Sequence, residues 1–207
     1  MAEFHLQAPL CDEDIAKLKI GDTVYISGPC FTCRSRLQNY IFDEKNVLPF
    51  STEGRNVLIH NGPIVVKENG KWRLVSFMPT SSIRFEKWGA KSVENWELKM
   101  IVGKTTMGEE TAKMMKEKKC VHVSPRSVSP NLWIDSIEVE DVYLYDELGR
   151  IEAAWFFKLN DLGPFIVDID SEGNNYFDKL DSDINERKEK VLAELGIDEN
   201  FRFTKLY

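Results

Sequence analysis

The 207-residue chain carries 43% hydrophobic residues, twelve Phe and five Trp. That composition excludes global disorder and lets a chain of this length bury roughly 70% of its unfolded surface. A formal net charge of −7, with no Lys/Arg stripe interleaved with aromatics, argues against a nucleic-acid partner.

No apolar run approaches the ~18 residues of a membrane helix, and the opening Met-Ala-Glu-Phe-His lacks a basic segment followed by an apolar one. A cytoplasmic protein is expected, with no membrane partner. Residues 1–11 carry no motif and read as an arm. Residues 12–19 suit a short helix with acidic residues in its first turn, the orientation the helix dipole favours. Ile20-Gly21-Asp22 then turns into a strand over 23–27 that ends at Gly28-Pro29.

A helix is expected over 33–43, with Leu37, Tyr40 and Ile41 on one face and Arg34 and Gln38, four apart, on a neighbouring one. A strand over 56–60 breaks at Asn61-Gly62-Pro63. Residues 64–67 and 72–77 form a hairpin across Glu68-Asn69-Gly70.

That hairpin leads into Phe77 to Trp88, F-M-P-T-S-S-I-R-F-E-K-W. Pro79 withholds a backbone N–H and stops the strand. Thr80, Ser81 and Ser82 follow where a helix can start, so their N–H groups and hydroxyls can converge on an anion, with Arg84 one helical turn beyond Thr80. Residues 89–99 read as helical and 100–102 as a short buried strand. Gly103-Lys104-Thr105-Thr106 then makes a strand-to-helix turn, where Lys104 offers a second place for an anion. Thr106 and Glu109 fit a capping box for a helix over 107–118.

Strands are expected over 121–124, 137–145, 153–159 and 165–170, and a final amphipathic helix over 183–195 stops at Gly196. Strands with intervening helices indicate a layered α/β or α+β domain. Four cysteines are too few to staple it, and Cys30-Phe31-Thr32-Cys33 has no second pair to complete a metal site. Reduced thiols and no metal in this chain are expected. His60 and His122, in or beside strands, read as satisfied structural histidines.

Several ordered blocks resemble the β-type domain of iron–sulfur-dependent hydro-lyases, the class I fumarase and L(+)-tartrate dehydratase family. Leu18-Lys19-Ile20-Gly21-Asp22-Thr23-Val24 resembles the opening L-x-x-G-D-x-V; Gly28, Thr32-Cys33-Arg34, Leu48-Pro49 and Asn61-Gly62-Pro63 follow in order. Met78-Pro79-Thr80-Ser81-Ser82-Ile83-Arg84-Phe85-Glu86 resembles G-P-T-T-x-x-R-M-D, and Gly103-Lys104 resembles G-K-G. Leu148-Gly149 with Glu152-Ala153, then Val167 to Gly173, resemble the closing blocks.

The resemblance implies a swivelling β/β/α domain over 18–177, preceded by an arm and first helix over 1–17 and followed by a helical extension over 178–207. It implies a β subunit that works with a separate, [4Fe–4S] cluster-bearing α subunit, in an α2β2 assembly. The implied activity is reversible hydration of fumarate to L-malate in the tricarboxylic acid cycle. L(+)-tartrate dehydration and a noncatalytic dicarboxylate-binding role are the alternatives. By the same resemblance Thr80 and Arg84 are catalytic, and Arg34, Lys104, Ser81 and Gln38 bind substrate. The family's R-D-x-x-H is here Arg34-Ser35-Arg36-Leu37-Gln38, with a hydroxyl and an amide replacing a carboxylate and an imidazole.

Overall fold

The computed structural model describes residues 1–127, 129–197 and 201–202. They fall into two compact units, Met1–Asn175 and a second that starts at Tyr176. The first holds nine strands: β1 (Glu3–Gln7), β2 (Thr23–Cys33), β3 (Val57–His60), β4 (Ile64–Glu68), β5 (Lys71–Ser76), β6 (Met100–Val102), β7 (Val121–Pro125), β8 (Ile137–Tyr143) and β9 (Ala154–Ile169). Its helices are α1 (Asp12–Ala16), α2 (Ser35–Gln38), α3 (Glu86–Asn95), α4 (Glu109–Lys118) and α5 (Tyr145–Leu148). Among the described residues the second unit holds one helix, α6 (Tyr176–Glu194).

Seven strands form one sheet in the order β1-β2-β3-β6-β7-β9-β8, and β2 pairs with β9 as well. The strands β2, β3, β6, β7 and β9 therefore close a ring. β2, β3, β6 and β7 run parallel, and β9 returns antiparallel to both β2 and β7. The fold is α/β.

β3, β6 and most of β7 are buried throughout, as expected of parallel strands covered on both faces. Alternate residues feed two cores. Val57, Ile59, Met100, Val102, Val121 and Val123 join one, while Leu58 and Ile101 join a second that includes Leu37 of α2, Val93 of α3 and Met115 of α4. The three helices thus cover one face of the parallel strands. Among the described residues no helix is long and apolar enough to cross a membrane.

Residues 3–7 are not an arm. They form β1, parallel to β2 with Glu3 beside Thr23. β2 does not stop at Gly28-Pro29 but runs to Cys33, absorbing irregularities against β9. Gly28 sits at φ +102, and a Cβ there would lie 2.4 Å from the carbonyl oxygen of Ala8, so glycine lets β2 continue past the residues that follow β1.

The strands expected over 153–159 and 165–170 are one strand, β9. Its partners β2, β7 and β8 outweigh the turn signals of Asn160-Asp161-Leu162-Gly163-Pro164. α1 is shorter than expected, and α6 begins at Tyr176 rather than near 183.

The capping box before α4 does not form either; Gly108 is the N-cap. The Glu86 carboxylate of α3 serves that end instead, accepting from Gly108 N (2.6 Å), Thr111 N (3.1 Å) and Thr111 Oγ1 (2.8 Å).

Candidate functional site

The carboxyl ends of β2, β3, β6 and β7 lie side by side, the edge at which parallel α/β sheets, open or closed, place their ligands. Arg34, His60-Asn61, Gly103-Lys104 and Ser124 are set there by strand register alone, since Cys33 pairs with His60, Ile59 with Val102, and Val102 with Val123.

Residues 80–82 are inserted between the ends of β3 and β6. Thr80 N donates to His60 O (2.7 Å), Lys104 N to Thr80 O (2.9 Å) and Ser82 N to Lys104 O (2.8 Å). Ser81 and Lys104 form a parallel bridge. Asn61 Nδ2 donates to Met78 O (2.6 Å), holding the chain where it enters this slot.

The helix expected to begin at Thr80 is therefore absent. Ser81 is extended, a 3₁₀ turn covers Ser82–Phe85, and α3 follows. The amides of Thr80 and Ser82 are committed to backbone carbonyls, so they are not donors for an anion. Thr80, Ser81 and Lys104 are half-buried together at the edge, while Arg84 is exposed on the 3₁₀ turn with no helical turn linking it to Thr80.

Arg34 is the N-cap residue of α2, one strand over from the slot. A Cβ on Gly62 would lie 2.7 Å from its Nη1, so glycine makes room for the guanidinium beside Asn61. Its Nε is 3.2 Å from Glu152 Oε1, an ion pair without hydrogen-bond geometry, since Nε has no hydrogen-bond partner. Gln38 lies elsewhere: it is fully buried, and its Nε2 donates to Ser92 Oγ of α3 (3.1 Å).

Beneath the slot runs a buried polar chain. Ser82 Oγ is 2.8 Å from both His60 Nδ1 and His122 Nε2, and His122 Nδ1 is 2.7 and 2.8 Å from the two carboxylate oxygens of Asp168. Ser124 Oγ lies against Asp168 Oδ2 and the carbonyl of Thr105 (2.5 Å), donating its single hydrogen to one of them. Ser82, His60 and His122 are 0% exposed, and Asp168 is 1% exposed. Burial, and then the neighbouring His122, hold the His60 imidazole well below its usual pKa, so it is neutral.

Sequence reading set these histidines aside. The one linear signal was a His inside a continuous apolar strand run, Val57–His60 and Val121–Pro125, where a ring buried on both faces must find a polar partner.

The thiols do not fit an iron–sulfur cluster. Cys30 and Cys33 are three apart on β2 and enter opposite cores, and Cys120 is buried in the second. Burial pushes all three thiols up, away from the thiolate a cluster needs. Cys11 is exposed. Open clefts along β8 and the β4–β5 hairpin share no residue with the strand-end site.

Residues 1–180 match the family described as fumarase C-terminus. The chain is 32% identical over 191 residues to the L(+)-tartrate dehydratase subunit beta of Escherichia coli K12, a match that covers 92% of this chain and 94% of the relative. A Methanocaldococcus jannaschii protein provisionally named L(+)-tartrate dehydratase subunit beta is 32% identical over 188 residues, covering 89% and 96% of the two chains. A longer Geobacillus stearothermophilus protein, provisionally named class I fumarate hydratase, is 33% identical over 194 residues, which are 91% of this chain but 37% of that one. The match spans all nine strands and the slot between β3 and β6, and the chain is a member of the fumarase C-terminus family.

Proposed function

We propose that this chain is the β subunit of an iron–sulfur-dependent hydro-lyase that adds water reversibly across the double bond of a four-carbon dicarboxylate, fumarate to L-malate. The observation that carries the reading is the insertion of residues 80–82 between β3 and β6, which sets Thr80 against Lys104 at the strand-end edge, one strand from Arg34. Its domain is read as a swivelling β/β/α unit.

Adding water to such an acid needs cations for two carboxylates and a group that exchanges a proton with carbon. Lys104 and Arg34 supply the first, Arg34 through a planar fork suited to a carboxylate. Because Arg34 already faces Glu152, the substrate carboxylate competes with that ion pair. Thr80 supplies the proton exchange. Its hydroxyl is a weak base that works only where a nearby cation favours the alkoxide, and Lys104, backbone-paired to it, is that cation. Ser81 presents a second hydroxyl on the same slot. Arg84, exposed on the following turn, faces outward to a partner or to substrate held by one. Gln38 contributes by holding α2 against α3 rather than by contact.

The Lewis acid for the hydroxyl is assigned to a [4Fe–4S] cluster on a separate α subunit, in an α2β2 assembly. The burial of Cys30, Cys33 and Cys120 supports that division. L(+)-tartrate dehydration is the second reading, favoured by one observation: the relatives matched end to end carry that name.

The test is anaerobic purification from the native host, with iron content, partner identity and turnover of fumarate, malate and L(+)-tartrate read from the same sample. An iron-containing heteromer that turns over one of these acids, and loses turnover by orders of magnitude in Thr80→Ala and Arg84→Lys, is expected. Wild-type rates in both variants would remove the catalytic roles. A cluster-bearing complex inactive on all three acids would make the chain a noncatalytic dicarboxylate-binding relative.

A further inference from the structure

With Asp168 a carboxylate and His122 a neutral imidazole, the hydrogen bonds under the slot have a single direction. An ionised carboxylate only accepts, so His122 Nδ1, 2.7 and 2.8 Å from Asp168, carries the hydrogen. In neutral His122 the Nε2 then accepts, and the Ser82 hydroxyl donates to it at 2.8 Å. The Ser82 oxygen in turn accepts from His60 Nδ1 at 2.8 Å. That leaves His60 Nε2 as an unprotonated acceptor, and it has no hydrogen-bond partner in the protein.

Ser, His and Asp in this order also build acyl-transfer triads. Here Ser82 is 0% exposed, and a Cβ on Gly103 would lie 1.7 Å from its Oγ, so no carbonyl can reach it. What the hydroxyl holds is its own backbone. Ser82 N donates to Lys104 O, and two residues earlier Thr80 N donates to His60 O while Thr80 O accepts from Lys104 N.

We propose that Ser82 is a positioning residue: the polarised chain His60–Ser82–His122–Asp168 clamps residues 80–82 between β3 and β6 and so sets Thr80 beside Lys104. The inference rests on the reading of Thr80 and Lys104 as parts of the hydro-lyase site.

Three measurements test it. In long-range ¹H–¹⁵N spectra of the full chain, His60 and His122 both appear as Nδ1–H tautomers; an Nε2–H tautomer at His60 overturns the polarity. In Ser82→Ala the amides of Thr80 and Lys104 exchange with solvent about tenfold faster or more, because the clamp has lost its central hydrogen bonds. Unchanged exchange in that variant overturns the clamp. In the assembled complex Ser82→Ala lowers kcat by about 10²-fold with KM little changed, the signature of a displaced reacting group; a folded variant with wild-type kcat refutes the positioning role. Should the wild-type complex turn over no dicarboxylate, the functional reading falls, while tautomers and amide exchange still decide the clamp.

Discussion

Replacing Gly103 with alanine measures how closely residues 80–82 are held. The new Cβ would sit 1.7 Å from Ser82 Oγ, 3.1 Å from Ser82 Cβ and 3.3 Å from His122 Nε2. Only the first contact is impossible, and Ser82 Oγ cannot rotate away without leaving both histidines. Overpacking a close-packed interior costs about 1–3 kcal/mol. Losing the buried hydroxyl's hydrogen bonds adds about 1–3 kcal/mol.

A central total of about 4 kcal/mol corresponds to a Tm lowered by about 8–16 °C in a domain of this size. Adding Ser82→Ala removes the Oγ and leaves the 3.1 Å contact to the Cβ of residue 82 and the 3.3 Å contact to His122 Nε2, which a shift of a few tenths of an ångström relieves. The double variant is therefore more stable than the two single losses added together, by at least about 1 kcal/mol of coupling in a thermal or urea double-mutant cycle. Simple additivity, or a Gly103→Ala Tm within about 2 °C of wild type, would refute the packing argument.

Glu86→Ala removes the carboxylate that serves the first turn of α4 and destabilises the chain by about 1–2 kcal/mol. Glu86→Gln, which keeps one acceptor oxygen, loses less, and equal losses in urea unfolding would contradict the assignment. His60 gives a pH dependence of definite sign. Its folded pKa lies well below the ordinary value of 6.5, so between the two the unfolded chain binds more protons. This contribution is complete above about pH 6.5 and is lost as pH falls below it, by at most about 1.4 kcal/mol per pH unit. His60→Gln, which leaves His122 and Asp168 in place, flattens that limb; parallel stability curves for variant and wild type would exclude it. In thiol titration with a disulfide reagent, one cysteine, Cys11, reacts in the native chain, and all four react in guanidinium. Even Cys11 reacts slowly, because hydrogen bonds to Asp14 and then Glu13 push its thiol up. Rapid native labelling of a second thiol would contradict the burial of Cys30, Cys33 and Cys120.

Local chemistry made much of the fold legible. β3, β6 and β7 were readable because strands buried on both faces are unbroken apolar runs. The β4–β5 hairpin was readable because Asn69 and Gly70, at φ 51 and 80, are the residue types that tolerate left-handed backbone. β9 was not, since its Asn160-to-Pro164 segment has turn chemistry and only the ladders to β2, β7 and β8 hold it extended. The cap on α4 was missed for the same reason: Thr106 and Glu109 make a plausible box, but Glu86, 22 residues before Gly108, is placed better by the packing of α3.

Sequence by itself determined the strand stops at Asn61-Gly62-Pro63, Pro79 and Gly103, and with them the chain positions of Thr80 and Lys104 near the strand ends. Turn chemistry acts over a few residues, so it is written locally. Only the tertiary structure decided that residues 80–82 would insert between the ends of β3 and β6, through one bridge from Ser81 to Lys104, instead of starting an α-helix at Thr80. It alone brought together His60, Ser82, His122 and Asp168, whose contacts span 22 to 46 residues. A buried hydroxyl or imidazole chooses its partner by what the folded strands place within about 3 Å, and no periodicity along the chain carries that distance.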